Sequence, residues 1–284
     1  MKWTQEDLDY LIGNYSEMPT KQIEIALGRS KSSVWRKAKK LGLEKYLVDH
    51  EFFSEWSEEM AWVLGFWAAD GCVIVRPNKT PEIQFCQSDY EIIANIKDVL
   101  SSSHKISSCK GKVGKPSYRL RYASQLQYDS LRSIFGCGII RKSLTLEFPF
   151  IPHIYMRHFI RGYVDGDGCL SIKKTGQPEI QIAVGSEFFA RDLQLAVLGL
   201  TGIAGRIYKR DNLFLVVYKG LKARCLSWWL YMDAAIFLKR KEKIARKQIR
   251  WEPQYIRRSV LTPLMRSRFA HLVIKETNKC QEKY

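Results

Sequence analysis

Apolar and polar positions along this chain follow two periods, and the change from one period to the other occurs twice in the same order. Val63-Leu64-Gly65-Phe66-Trp67-Ala68-Ala69 is an apolar run closed by Asp70-Gly71, and Ile160-Arg161-Gly162-Tyr163-Val164 is a second, closed by Asp165-Gly166-Asp167-Gly168. Both read as helices. Ser57 is the expected N-cap of the first, with Glu58 and Glu59 in its first turn, and Pro152 stands near the start of the second. Gly71 and Gly168 are expected as left-handed C-terminal residues. Downstream the period drops to two: Ile83 and Phe85 alternate with Glu82 and Gln84, and Ile180 and Ile182 with Glu179 and Gln181. That alternation predicts strands with one buried and one open face. The two stretches are in register, since Asp70 and Asp167 are 97 residues apart and Pro81-Glu82-Ile83-Gln84 returns as Pro178-Glu179-Ile180-Gln181 at the same offset. The chain therefore holds a two-unit repeat, each unit reading helix, strand, turn, strand, helix, two strands, helix. Each carries one placed acid, which implies a composite site built from two halves.

Small residues recur at every fourth position in both runs, Gly65 with Ala69 and Gly162 with Gly166. Such residues share a helix face. A helical Gly costs ~1 kcal/mol against Ala, so these stripes point to helices packed backbone to backbone. The runs are far shorter than the ~20 residues that span a bilayer. Asp70 and Asp167 fall at helix C-termini, where a carboxylate is disfavoured by ~0.3–1 kcal/mol, and bringing two together adds repulsion. A hard divalent cation resolves both problems: Mg²⁺ (or Mn²⁺) takes oxygen ligands and completes its shell from water and substrate phosphates. Asp165 has Ala68 as its repeat mate, so the site does not require a carboxylate there. An EF-hand is excluded because Leu170 and Gly176 stand where that loop needs Gly and Glu.

The two nonamers with their in-register flanks resemble the signature of the LAGLIDADG homing endonucleases, in the single-chain form with two signatures, over residues 55 to about 250. The resemblance implies an α+β fold of two pseudo-symmetric αββαββα repeats, residues 55–150 and 151–250, whose sheets form a saddle over the major groove. It implies that Asp70 and Asp167 are catalytic and bind metal. The activity it implies is site-specific, divalent-metal-dependent hydrolysis of both strands of a long asymmetric duplex, leaving short 3′ overhangs, by the product of a mobile genetic element. The family carries a basic residue bordering the active site late in each repeat. Arg141-Lys142 and Lys239-Arg240-Lys241 occupy those places, with Lys142 and Lys241 the candidates. A metal-proximal polar residue is expected after the second strand: Gln87 or Ser88 in the first repeat, against Val184 and Gly185 in the second.

Two carboxylates, a divalent ion and a polyanionic substrate support phosphodiester hydrolysis, with a nearby cation stabilising developing charge. Charge agrees with such a substrate. The formal excess is +17, yet residues 1–45 hold 9 basic and 6 acidic side chains, residues 46–204 hold 17 and 17, and residues 205–284 hold 20 and 6. A basic end on a neutral middle attracts polyanions. On the open strand faces Arg76, Gln84, Lys173 and Gln181 are types that hydrogen-bond guanine and adenine edges. Arg119 and Arg121 alternate with Tyr118, Leu120 and Tyr122 in the third and fourth strands of the first repeat, and Arg206, Tyr208 and Arg210 do likewise in the second. Arg119 and Arg121 align approximately with Leu215 and Val217, and Ile74 with Ser171, so the half-sites are expected to differ. Two halves in one chain already supply a pseudo-twofold, so a monomer is expected.

Residues 1–45 read as a separate module, 46–54 as a linker and 251–284 as a basic C-terminal extension. Thr4 with Asp7 resembles a capping box, followed by Leu8, Leu11 and Ile12 at helical spacing. Thr20 caps a second helix carrying Ile23 and Leu27, Gly28-Arg29-Ser30 makes a turn, and Val34, Ala38 and Leu41 form the stripe of a third. That helix exposes Lys31, Arg36, Lys37, Lys39 and Lys40. The three resemble a Myb-like helix-turn-helix, whose final helix enters the major groove; a small helical interaction module is the alternative. Seven Cys without paired C-x-x-C spacing argue against a disulfide framework and a zinc site. Cys72 and Cys169 are repeat mates expected to begin buried strands. His153 and His158 do not share a helix face and are not read as ligands. No signal peptide opens the chain, so a reducing, DNA-containing compartment is expected, cytoplasmic in a bacterium or phage-infected cell, or organellar. Duplex DNA is the expected partner, with no membrane. The alternatives are an intron maturase, which would bind intron RNA, and a transcription regulator with an inactive nuclease body; the two retained acids disfavour inactivity. An intein is not expected, because the chain starts Met-Lys and ends Glu-Lys-Tyr.

Overall fold

The structure, a computed structural model, describes residues 2–110, 116–140, 142–253 and 260–273. Arg141 lies outside the described residues. The chain divides into two compact units, Met1–Asp49 with Lys97–Lys105, and His50–Ile96 with Ile106–Tyr284. None of the described helices is long and apolar enough to cross a membrane.

The smaller unit holds α1 (Gln5–Asn14), α2 (Thr20–Leu27) and α3 (Lys31–Lys40). Thr4 and Asp7 form the expected capping box on α1. Thr20 is not a cap: Pro19 takes that place without a side-chain acceptor, and Thr20 enters α2 as its first residue. Gly28 ends α2 in the left-handed region, at φ 60°. Leu11, Tyr15, Ile23, Val34 and Ala38 form the core. Arg29 pairs with Asp7 at 2.6 Å and lies over the Trp3 ring. On α3 the side chains of Lys31, Arg36, Lys39 and Lys40 are exposed, as is Trp35, while Lys37 is half-buried near Trp3.

In the larger unit the Ser57 hydroxyl accepts from the Met60 amide and opens α4 (Glu58–Asp70), buried throughout from Met60 to Ala68. β1 (Gly71–Ile74), β2 (Glu82–Gln87), α5 (Tyr90–Val99), β3 (Ser107–Lys110), β4 (Pro116–Ala123) and α6 (Gln125–Phe135) follow, then a 3₁₀ turn and α7 (Lys142–Thr145). The order recurs as α8 (His153–Asp167), β5 (Gly168–Ile172), β6 (Pro178–Val184), α9 (Glu187–Thr201), β7 (Arg206–Arg210), β8 (Leu213–Lys219) and α10 (Leu221–Tyr231). α11 (Lys239–Arg250), α12 (Pro263–Arg268) and α13 (Ala270–Val273) complete the chain. Each repeat is thus αββαββα, with an antiparallel sheet ordered β1-β2-β4-β3 or β5-β6-β8-β7. Part of the C-terminal extension is folded: Phe269 of the α12–α13 segment is buried against Trp228, and Thr262 bonds to the Gly202 carbonyl.

Two expectations are corrected where helix meets strand. Gly71 and Gly168 are extended rather than left-handed, at φ −85° and −83°. The chain leaves each helix directly as a strand, so no reversing residue is needed. Cys72 and Cys169 do begin strands, but Cys72 is only half-buried and Cys169 is exposed. The next residue in each strand takes the other face, so Val73 and Leu170 turn toward the helices and leave the cysteines on the open side. The first strand also stops at Ile74, which leaves Arg76, like Lys173 after β5, in the connection beyond it.

The stripes of small residues bring α4 and α8 together. A Cβ added at Gly65 would lie 2.0 Å from the Phe159 carbonyl oxygen, and one at Gly162 would lie 2.0 Å from the Trp62 carbonyl oxygen. Since Trp62 and Phe159 are themselves repeat mates, the contact is reciprocal. At Gly166 the added atom would meet Ala69 Cβ at 2.3 Å. Below the helices, Ile83, Phe85, Leu120 and Tyr122 of one sheet and Ile180, Ile182, Val216 and Tyr218 of the other close the core.

Candidate active site

Because α4 and α8 cross at their small residues, their C-terminal ends meet. Asp70 and Asp167 are the last residues of the two helices, and a Cβ at Gly166 would already stand 3.3 Å from Asp70 Oδ2. Burial, followed by the negative charge of Asp167, pushes the Asp70 carboxyl up to about 6. Burial raises Asp167 as well. Two acids facing each other at the negative ends of helices repel, and nearby cations offset this only in part, since both carboxyls stay raised.

The sequence's two lysine candidates lie at these same helix ends. Lys142 Nζ donates to the carbonyls of Ala68 and Ala69 at 2.5 and 2.9 Å. Lys241 Nζ donates to those of Val164, Asp165 and Gly166 at 2.7, 2.6 and 2.8 Å. An ammonium has three donors, so Lys241 is fully engaged and acts through its charge alone, whereas these bonds leave Lys142 one proton. Burial lowers both to about 8, offset by the aspartates' charges, so both are cations at neutral pH.

Around the acids the halves differ. Gln87 Nε2 donates to Asp70 Oδ2 at 2.6 Å, while Ser88 instead bonds to Gln87 Oε1. Gln87 is therefore the polar neighbour of the acid. Its repeat mate is Val184, which offers Asp167 no donor. A cleft of about 430 Å³ opens there, walled by Ala68, Ala69, Lys142, Tyr163, Asp167 and Val184 among others.

Asp165, judged dispensable from its mate Ala68, is fully buried and bound on both oxygens. Oδ2 accepts from Trp62 Nε1 at 3.0 Å and the Leu238 amide at 3.1 Å, and Oδ1 from Tyr231 at 2.8 Å. Its work is structural: it ties α8 to α4 and to the start of α11, which carries Lys241. A charged residue inside an apolar helical run was the signal available in the sequence. His158 sits two turns earlier on α8, bonded to Arg161 and held down to about 4 by burial and that guanidinium's charge; His153 opens α8 as its first residue.

The expected reading residues divide by their settings. Gln84 pairs across the sheet with Cys72 and Arg121, and Gln181 with Cys169 and Val217, so the mates hold equivalent places. Arg119 and Arg121 both lie in β4, the fourth strand, whereas Arg206, Tyr208 and Arg210 lie in β7, the third. The register places Arg121 opposite Gln84 and Val217 opposite Gln181, and Arg119 opposite Cys86 and Leu215 opposite Ala183. The arginines of the first half thus have apolar counterparts in the second. Arg76 and Lys173 are recruited to the open faces from the connections by Glu82 and Glu179, at 2.8 and 2.7 Å. The sequence places those two glutamates on the open faces but gives them no role.

Among the described residues no three His, Cys, Asp or Glu side chains converge as a metal-binding group. A cation between Asp70 and Asp167 would have two protein carboxylates and would complete its shell from water and phosphate oxygens. That all-oxygen donor set suits Mg²⁺ or Mn²⁺.

Comparison with known proteins bears on both halves. Residues 57–136 and 155–227 match the model of the LAGLIDADG-like domain family, beginning downstream of α3. The homing endonuclease I-WcaI bound to its DNA recognition sequence has the same fold, with a TM-score of 0.50 at 13% identity over 68% of this chain and 90% of that one. I-DmoI in complex with DNA and Mn gives 0.45 at 16% identity over 63% and 98%. A probable translation initiation factor of Thermococcus kodakarensis is 34% identical over 91 residues, which is 31% of this chain and 8% of that protein's length.

Proposed function

Because the chain belongs to the family of LAGLIDADG-like domains, we propose that it is a site-specific DNA endonuclease that hydrolyses both strands of a long, asymmetric duplex with a divalent metal, leaving short 3′ overhangs. The observation that carries this reading is the pair of carboxylates, half-buried Asp70 and exposed Asp167, at the ends of two helices in backbone contact, shared by two sheets with basic open faces. Asp70 and Asp167 would hold Mg²⁺ or Mn²⁺. When bound, such an ion activates water and stabilises the leaving oxygen in phosphodiester hydrolysis. The chain's own groups prepare the site. Gln87 fixes the Asp70 carboxylate through Oδ2. Lys142 and Lys241 hold positive charge at the helix ends, where charge develops on the scissile phosphate. The open sheet faces bind and orient the duplex, Gln84, Gln181, Arg119, Arg121, Arg206 and Arg210 contacting bases or phosphates. The smaller unit, with the basic face of α3, adds affinity as a helix-turn-helix of the Myb-like type. One chain supplies both halves and acts as a monomer.

The test uses Asp70→Asn and Asp167→Asn. Wild-type protein is incubated with a duplex fragment library in Mg²⁺ and the cut ends are mapped. Each variant is expected to lose double-strand cleavage by at least ~10²-fold while retaining duplex affinity. Full cutting by either variant would falsify the composite site.

A further inference from the structure

We infer that Glu82 and Glu179 are specificity-determining residues of the duplex-binding faces, acting by holding the basic side chains that surround them. The inference rests on the endonuclease reading above. A carboxylate on a surface that receives phosphates weakens binding, because it repels them and cancels a cation. Yet both halves keep an acid at the same position, on the open face two residues before Gln84 or Gln181.

In the first half, Glu82 Oε2 receives Arg76 at 2.8 Å and Arg121 at 3.3 Å. In the second, Glu179 Oε1 receives Lys173 at 2.7 Å and Gln181 at 2.5 Å, and Oε2 receives Lys219 at 3.3 Å. The acids lie below their partners: the Glu179 side chain is 4% exposed against 48% for Lys173 and 59% for Lys219. Glu82 is recessed only slightly, 28% exposed against 42% for Arg76 and 32% for Arg121. A recessed acid such as Glu179 cannot itself reach a base edge, whereas the cations around it can. Hydrogen bonds from the cations outweigh partial burial and hold both carboxyls below the usual glutamate value, so both stay charged.

Two consequences act in the same direction. Long Arg and Lys side chains lose rotamer freedom on contact, and those already pinned lose less, which favours defined base contacts. Each acid also subtracts one positive charge from the local field, which lowers attraction to any duplex regardless of sequence. Together they raise the ratio of specific to non-specific binding, the quantity that counts among many competing sites.

Glu82→Gln and Glu179→Gln test this. Gln keeps the volume and an acceptor but removes the charge. Binding selection from a randomised duplex library in EDTA, with wild type alongside, reads preference without cleavage. Each variant is expected to bind random duplex several-fold more tightly, with log affinity falling more steeply against log salt by up to about one. Preference should fall by ~10-fold at positions of one half-site only, a different half for each variant. Equal gains on selected and random duplex would overturn the inference, reducing the acids to a charge correction. So would an unchanged preference. Glu82, the more exposed of the two, tolerates the change best and keeps the test decisive if Glu179→Gln unfolds. A wild-type chain that selects no sequence would instead overturn the endonuclease reading itself.

Discussion

Substituting Gly65 by Ala adds one methyl group where two helix backbones already touch. The new Cβ would stand 2.0 Å from the Phe159 carbonyl oxygen and 3.0 Å from the Tyr163 nitrogen. A relaxed carbon–oxygen contact is about 3.3 Å, so α4 and α8 must part by roughly 1 Å, and backbone cannot yield as a side chain does. At such a gap the facing atoms forfeit about a quarter to a half of their dispersion attraction. Overpacking costs ~1–3 kcal/mol and more where backbone must move, against ~1 kcal/mol gained because Ala favours the helix. We expect a net loss of about 2 kcal/mol, seen by calorimetry as a transition lowered by ~4–8 °C. Gly199→Ala is the control: it lies on α9 with nothing within 4 Å of the added atom, and should gain up to ~1 kcal/mol. The double variant Gly65→Ala, Gly162→Ala should cost less than the sum of its parts by more than ~0.5 kcal/mol, because the first methyl opens the gap that the second needs. If Gly65→Ala stabilises as Gly199→Ala does, or if the pair is additive, the helices are not in reciprocal backbone contact and the reasoning fails.

Lys241→Met removes three charge-assisted bonds to the end of α8, and Lys142→Met removes two to the end of α4. Denaturation should show the larger loss for Lys241, about 2–4 kcal/mol, and cleavage should fall ~10²-fold or more for both; a fully active, fully stable Lys241→Met would refute the role. The pH dependence runs opposite to that of a salt-bridged carboxylate. Asp70 sits near 6 in the folded protein against about 3.9 unfolded, so the metal-free fold binds more protons and loses stability as pH rises through that window. The difference in melting temperature between wild type and Asp70→Asn, followed from pH 4 to 7, should therefore move against wild type without metal. Saturating Mg²⁺ should cancel that trend; a trend in the other direction without metal would show that the carboxylate is not raised by partial burial and the charge of Asp167.

Much of the fold was legible because its determinants are periodic. Gly65 with Ala69 and Gly162 with Gly166 announced the helix crossing, and the alternation around Ile83 and Ile180 announced the sheets. Gly71 and Gly168 misled, since Asp-Gly after a helix suits a left-handed turn as well as a strand entry, and only the sheet decides between them. The acids and lysines of the site could be named from the repeat and the family signature, yet their geometry could not. Nothing in Lys142 or Lys241 says that the ammonium ends on helix carbonyls. Asp165 was underrated because comparison with Ala68 treats the halves as equivalent, whereas its partners Trp62, Tyr231 and the Leu238 amide come from distant segments. The roles of Glu82 and Glu179 stayed hidden for a similar reason: which cations gather around an acid is set by cross-strand register and by connections such as the one carrying Arg76.

Asp165 also belongs to a wider difference between the halves. Arg157, Arg161 and Asp165 follow one another at four-residue intervals on α8, so they share a face. Arg157 donates to the Met232 carbonyl, Arg161 to those of Leu230 and Ile236, and Asp165 accepts from Tyr231 and the Leu238 amide. One ladder thus holds the whole connection from α10 to α11, and α11 delivers Lys241. The corresponding positions of α4 are Met60, Leu64 and Ala68, all apolar and buried. There the cation comes from α7, a helix of four residues. Burying Arg161 and Asp165 is costly unless each is bonded; here backbone carbonyls and three donors meet that requirement. Trp62, which completes the shell of Asp165, belongs to the first half. A duplicate of the second half would put Phe159 in that place and leave the buried carboxylate one donor short. A duplicate of the first half would lack the ladder altogether. The pseudo-symmetry of the acids therefore rests on supports that are not symmetric, and the second half draws on Trp62 of the first to complete the ladder behind its lysine.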